Sequence, residues 1–236
     1  MRRMLFALLL PLPLAAQTPE RPDVRTITVD ATGTVERAPE RARLLLAVES
    51  EASTAAEAGR ANAGQMDRLV AALRQLGLTG PAVRTVGYDL SPIYGRTDDP
   101  RGIASPRITG YRATNTVQVE IDTIARVGPI IDATLAAGAN RVAGLNFELR
   151  DPDAARVVAL REAMASAHAE ASALAAAVGE TLGPPISIQT SGGGHYPPPM
   201  PMYRGVAMDM AQAPTPIEPG TLTVSANVLV VYRIGS

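Results

Sequence analysis

Between Tyr111 and Ile121 the side chains alternate almost without a fault. Tyr111, Ala113, Asn115, Val117, Val119 and Ile121 share one parity, and Arg112, Thr114, Thr116, Gln118 and Glu120 share the other. Successive strand side chains point to opposite faces, so residues 110–121 predict a long strand with one packed and one polar face. Similar patterns predict strands over 26–36 and 41–52, joined by a turn at Ala38-Pro39, and over 82–94, 140–151, 185–192 and 220–235. Residues 95–107, where Gly, Pro and Asp cluster, read as a loop.

Three stretches change to a helical period. Thr54-Ala55-Ala56-Glu57 fits a capping box, and a stripe of Ala58, Ala61, Met66, Leu69, Leu73 and Leu76 follows before Gly77 stops the helix. A second helix begins at Asp122 or Thr123 and ends at Gly138, with Pro129 demanding a kink or a delayed start. Asp151-Pro152-Asp153 opens the third: a capping oxygen, a first-turn proline and a second carboxylate near the positive dipole end. Its apolar positions fall at Val157, Leu160, Met164, Ala167, Ala171, Leu174 and Val178, before Gly179. That 3-4 spacing suits a coiled-coil dimer, but a helix packed on a sheet is commoner at this length. A weak internal repeat matches Val83, Tyr88, Asp89 and Leu90 to Val142, Phe147, Glu148 and Leu149, as an old βαβ duplication would leave. The fold class expected is α+β: long, mostly antiparallel strands in twisted sheet(s), with three helices packed on one face.

The N-terminus does not belong to this pattern. Arg2-Arg3, an apolar run from Met4 to Leu14 and Ala15-Ala16 have the layout of a secretory signal peptide cleaved near Ala16. The run is too short to span a bilayer, which takes about 20 residues, and no later transmembrane segment is predicted. The expected organisation is a signal peptide at 1–16, a flexible lead-in at 17–25 and a single domain over 26–236. A Gly/Pro/Met-rich insertion at 192–220, too poor in core-forming residues to pack, interrupts that domain.

Composition then removes whole classes of chemistry. There is no Cys, hence no disulfide, thiolate nucleophile or Cys-ligated metal. All 22 basic residues are Arg, and the absence of Lys removes Schiff-base chemistry and a P-loop. A formal charge of −1 with no basic block gives no electrostatic footprint for nucleic acid.

Several stretches in order resemble a known family: "ITGYRATNTVQVEI", then "GANRVAGLNFELRDPDAARVVALREAMASAHAEASALAAAVG", then "TPIEPGTLTVSANVLVVYRI". Together they resemble the SIMPL domain, and the likeness covers nearly all of residues 24–235. The resemblance implies an exported, periplasmic or outer-envelope-associated α+β protein. It further implies self-association in some members and a loose link to oxidative and envelope stress; one member is a periplasmic immunogen. It implies no catalytic residues.

The residues themselves offer few sites. Met200, Met202, Met208 and Met210, with His195 nearby, are the soft thioether and imidazole ligands that an exported chain without Cys would use for Cu(I). The same residues serve equally as adaptable contacts for a protein partner, or as oxidant scavengers. His168 lies outside the helical stripe and reads as a solvated face residue; Asp151 and Asp153 are explained by capping. The polar row of residues 112–120 reads as the wet side of a sheet, with a subunit interface as the alternative. The expectation is therefore a non-enzymatic envelope protein without a cofactor, acting as a homo-oligomer or on envelope protein partners. A copper-binding or oxidant-protective module, and an enzyme with an unrecognised site, are the alternatives.

Overall fold

A computed structural model describes residues 24–96, 106–190 and 215–235. Seven strands run over Thr26–Arg37 (β1), Arg41–Ala52 (β2), Val83–Arg96 (β3), Pro106–Ile121 (β4), Arg141–Glu148 (β5), Leu182–Thr190 (β6) and Leu222–Ile234 (β7). Three α-helices run over Ala55–Gln75 (α1), Val127–Ala136 (α2) and Pro152–Ala177 (α3). The strands form two antiparallel sheets, one of order β1-β7-β6 and one of order β3-β4-β2-β5, and each sheet carries its helices on a single face. The α+β class expected from the sequence is the one observed.

In the three-stranded sheet, β1 and β7 pair without a bulge from Thr26↔Arg233 to Arg37↔Leu222. Alternation places Val29, Ala31 and Val35 of β1 beside Val224, Ala226, Val228, Val230 and Tyr232 of β7, all buried under α3. The helix meets this floor with Ala155, Ala159, Ala163, Ala167, Ala171 and Ala175, every fourth residue. The 3-4 stripe expected from the sequence is therefore only partly the buried one. Ala167 and Ala171 belong to it, whereas Val157, Leu174 and Val178 are exposed. Small side chains let the helix backbone lie almost on the strands, a gain in close contact that larger residues would forfeit. Gly33 marks the nearest approach: a Cβ there would overlap the Ala159 carbonyl oxygen and the Ala163 amide nitrogen, and would sit 2.9 Å from Glu162 Cβ.

The four-stranded sheet has the chain order β2-α1-β3-β4-α2-β5, so each βαβ unit inserts one of its strands between the two of the other. This is the split βαβ arrangement. It gives the suspected internal repeat a structural form, because β3 and β5 hold equivalent places at the two edges, although Leu149, the last matched residue, lies beyond β5 and packs under the other sheet. The core beneath α1 and α2 is aliphatic: Leu44, Leu46 and Val48 of β2, Val117, Val119 and Ile121 of β4, Leu69 and Leu73 of α1, and Val127, Ile130 and Ile131 of α2. On α1 the sequence stripe included Ala61, which is exposed, and omitted Asn62, which is fully buried. Asn62 Nδ2 donates to the carbonyls of Val48 (2.8 Å) and Ala113 (3.0 Å), tying the helix to both central strands.

Pro129 produces the delayed start. A short 3-10 turn over Ile124–Arg126 precedes α2, so the proline falls in the first α-turn, where a missing N–H is harmless. The end of the predicted insertion packs after all. Thr215 donates through N and Oγ1 to Asp132 (3.1 and 2.6 Å), its carbonyl lies where a Cβ on Gly128 would be, and Ile217 packs against the aliphatic core. Residues 215–221 thus tie α2, under one sheet, to β7 in the other.

The capping box at α1 is formed. Thr54 Oγ1 accepts from the Glu57 amide, and the Glu57 carboxylate accepts from the hydroxyls of Ser53 and Thr54 at 2.9 Å each. The Ser53 bond first, then that of Thr54, hold the Glu57 pKa below its usual value. A carboxyl depressed in the folded state contributes its stability above its unfolded pKa and loses it as pH falls through the folded one. The stability difference between the protein and its Glu57→Gln variant should therefore shrink as pH is lowered below about 4, as read by urea titration at several pH values. Gly33→Ala should destabilise by about 1–3 kcal/mol through the α3 contact, whereas Gly64→Ala, exposed in mid-α1 with open space around its Cα, should stabilise by about 0.5–1 kcal/mol. Denaturant midpoints of the two variants check both signs.

Candidate interaction surface

The polar row of β4 lies on the face of the four-stranded sheet away from α1 and α2, and most of its charges are paired. Arg112 reaches across to Glu49 (2.8 Å) and Glu51 (2.6 Å) of β2, and Arg141 of β5 approaches Glu49 from the other side (3.7 Å). Hydrogen bonding to Glu51, then the charge of Glu49, raise the Arg112 pKa further above its usual value. Arg43 pairs with Glu148 at 2.8 Å. Glu120 stands between Arg84 (3.5 Å) and Arg41 (4.0 Å), and the Gln118 amide, with its oxygen turned toward Arg84, accepts from Nη2 at 2.7 Å. A lattice of alternating charge thus spans all four strands. Four of the carboxylates on this face, Glu49, Glu51, Glu120 and Glu148, each have a guanidinium group within ion-pair distance.

The edge of the same sheet is different in kind. α1 covers β2 and β4, where Asn62 anchors it, and β3 projects beyond the helix layer. Its side chains are consequently left open: Val86 is 49%, Tyr88 56%, Leu90 41% and Tyr94 61% exposed. Tyr88 and Leu90 stand opposite Asn115 and Ala113, on the helix side of the sheet, and the Tyr88 hydroxyl reaches toward Gly59 of α1. The pairing of β2 with β4 stops at Ala52↔Tyr111, but that of β3 with β4 continues to Arg96↔Pro106. The residues read as a loop from 95 to 107 therefore include the end of a two-stranded ribbon, which runs about 15 Å past the body of the sheet. Ile108 and Tyr94 face each other on it, and Ile108 is also exposed. Among the described residues no strand pairs with the outer edge of β3, whose row of backbone donors and acceptors is interrupted by a bulge at Val86, between Thr85 and Gly87.

Apolar side chains beside an open strand edge are the chemistry of a protein contact. Sequence reading missed them because Tyr88, Leu90 and Tyr94 carry the same alternation that a core strand would; the Val86-Gly87 bulge was the local signal available.

The other candidates are accounted for individually. Asp151 caps α3 by accepting from the Ala154 amide at 2.9 Å, as expected. His168 is exposed on α3 and lies edge-on to Tyr232, with ring centroids 6.0 Å apart. A shallow cleft of about 260 Å³ at the seam between the sheets is lined by Arg37, Glu40, Leu149, Asp151 and Val158 among others. Both of its acids are occupied, Asp151 by the cap and Glu40 by the Arg150 amide at 2.9 Å. Met200, Met202, Met208, Met210 and His195 lie outside the described residues, as do the signal-peptide and lead-in residues 1–23.

Residues 27–232 match the family model SIMPL, a protein of unknown function (DUF541). The chain belongs to the SIMPL family. It is 35% identical over 212 residues to the 26 kDa periplasmic immunogenic protein of Brucella abortus (strain S19), covering 88% of this chain and 84% of that protein. It is 26% identical over 187 residues to the uncharacterized protein YggE of Escherichia coli (strain K12), covering 79% of this chain and 74% of that protein. The matched span runs from the second residue of β1 to the eleventh of β7, so this SIMPL domain comprises both sheets.

Because the lattice of this SIMPL protein is solvated, its ion pairs should contribute little to stability. Arg112→Met should leave the thermal midpoint within about 3 °C of the parent, and 0.5 M salt should change it no more in the variant than in the parent. Differential scanning calorimetry reads both.

Proposed function

We propose that this protein acts after export as a non-enzymatic envelope protein, through self-association or binding of protein partners, with the β3 edge and the β3–β4 ribbon as the contact surface. The observation that carries this reading is the exposure of Val86, Tyr88, Leu90 and Tyr94 along one open edge of the sheet. Isolated exposed apolar residues are ordinary on any surface, but a row of them beside unpaired backbone groups is a liability unless something covers it. The charged groups of the neighbouring face support the reading, since most of them are paired with one another rather than converging on a reacting centre. Export is supported by the N-terminal basic and apolar pattern and by the relative whose name describes it as periplasmic. None of the helices among the described residues is long and apolar enough to cross a membrane.

The reading predicts that the purified protein without residues 1–16 sediments above its monomer mass at micromolar concentration. Replacing Tyr88 and Leu90 together by Ser should lower the association constant about tenfold or more, since well-buried aromatic and aliphatic contacts dominate interfaces. A monomer at 50 µM that also retains no envelope protein in affinity capture would overturn the proposal.

A further inference from the structure

We infer that the β3 edge is self-complementary: two copies pair β3 with β3 antiparallel about a twofold axis, joining their four-stranded sheets into one of eight strands. The inference rests on the contact surface proposed above and names its occupant as a second copy of this chain. Three features of β3 support it.

The first is the facing of the side chains. Registered against β4, Val83, Thr85, Tyr88 and Leu90 point to the helix side, and Arg84, Gly87 and Asp89 point to the lattice side. The bulge is what switches parity between Thr85 and Gly87. An antiparallel register that places Val86 opposite Gly87 of the partner subunit puts the two bulges on the axis, so both strands bend at the same place. It then sets Thr85 against Tyr88 of the partner subunit and Val83 against Leu90 of the partner subunit, helix side to helix side. Moving this register by one pair in either direction sets residues of opposite facing against each other beside the bulge.

The second is charge. The same register brings Arg84 opposite Asp89 of the partner subunit on the lattice side, and the twofold repeats the pair. Asp89 is exposed and makes no ion pair among the described residues. Arg84 has a half-exposed side chain and reaches Glu120 only at 3.5 Å, which leaves guanidinium donors for a second carboxylate. A register centred on Leu90 instead brings no opposite charges together, so electrostatics selects the axis at Val86-Gly87.

The third is continuity of the apolar surface. Val83 packs against the aliphatic core of its own sheet, and Leu90 is one of the open residues on the edge. Setting Leu90 of the partner subunit beside Val83 extends each core across the axis, and Tyr88 of each copy covers the edge of the other. Isologous strand addition of this kind satisfies the free backbone groups of both edges at once.

The test uses two charge reversals, Arg84→Asp and Asp89→Arg, in the otherwise intact protein without residues 1–16. Each variant alone sets like charges against each other twice per dimer and should self-associate at least tenfold more weakly than the parent in sedimentation equilibrium. An equimolar mixture restores two opposite-charge pairs and should form a heterodimer with affinity near that of the parent. As an independent readout in a chain without Cys, the single variants Thr85→Cys and Tyr88→Cys should form a mixed disulfide when combined and oxidised, in preference to either symmetric product. Association of the parent that survives both reversals unchanged, with no preference for the mixed disulfide, would place the contact elsewhere and sink this inference while leaving self-association standing. A parent that stays monomeric at 50 µM removes the self-association on which it depends.

Discussion

The fold depends on the ladder between its first and last strands. β1 and β7 are separated by almost the whole domain, yet they pair residue for residue over the full length of β1. That ladder is the floor on which α3 rests, and it fixes where the chain re-enters the structure at residues 215–221 to hold α2. The contact between floor and helix is unusually intimate: alanines at every fourth position, with Gly33 beneath them. Close approach maximises dispersion contact per residue but leaves no room for adjustment, because a well-packed interior transmits a misfit rather than absorbing it. The three-stranded sheet is thus closed by contacts between residues distant in sequence.

The four-stranded sheet is assembled by the opposite logic. Two successive βαβ units interlock, and local chemistry positions each helix: a capping box starts α1, a proline sets the start of α2, and Asn62 fastens α1 to the two inner strands. The consequence for function lies at the edges. Two helices cover the central strands, and the interlocked order leaves β3 on the outside with Val86, Tyr88, Leu90 and Tyr94 exposed. On the face away from the helices, Arg and carboxylate side chains pair across the strands. One sheet therefore presents a face of largely paired charges and an edge strand with exposed apolar side chains.

Much of this architecture is legible in the sequence. Alternation in residues 111–121 announced β4, and the Asp151-Pro152-Asp153 opening located α3. Pro129 announces an irregular start to α2, and the alternation places the polar row on the sheet face away from the helices. What the sequence hides is set by contacts with distant residues. On α3 the large Val157, Leu174 and Val178 stand out in the pattern, whereas the sheet buries the alanines. On α1 a polar Asn62 argues against burial until its two carbonyl partners are known. Gly95 and Arg107 carry no alternation of their own; cross-strand pairing alone makes them strand.

By itself, then, the sequence determined the local elements, the absence of thiol and amine chemistry, and the family. These follow from side-chain periodicity, turn chemistry and composition, which act within a few residues of one another. Tertiary structure alone decided which strands became edges, which face of α3 was buried, and which carboxylates found an Arg. Those outcomes depend on strand order and helix placement, and two strands with the same alternation acquire opposite fates when one is flanked on both sides and the other meets solvent.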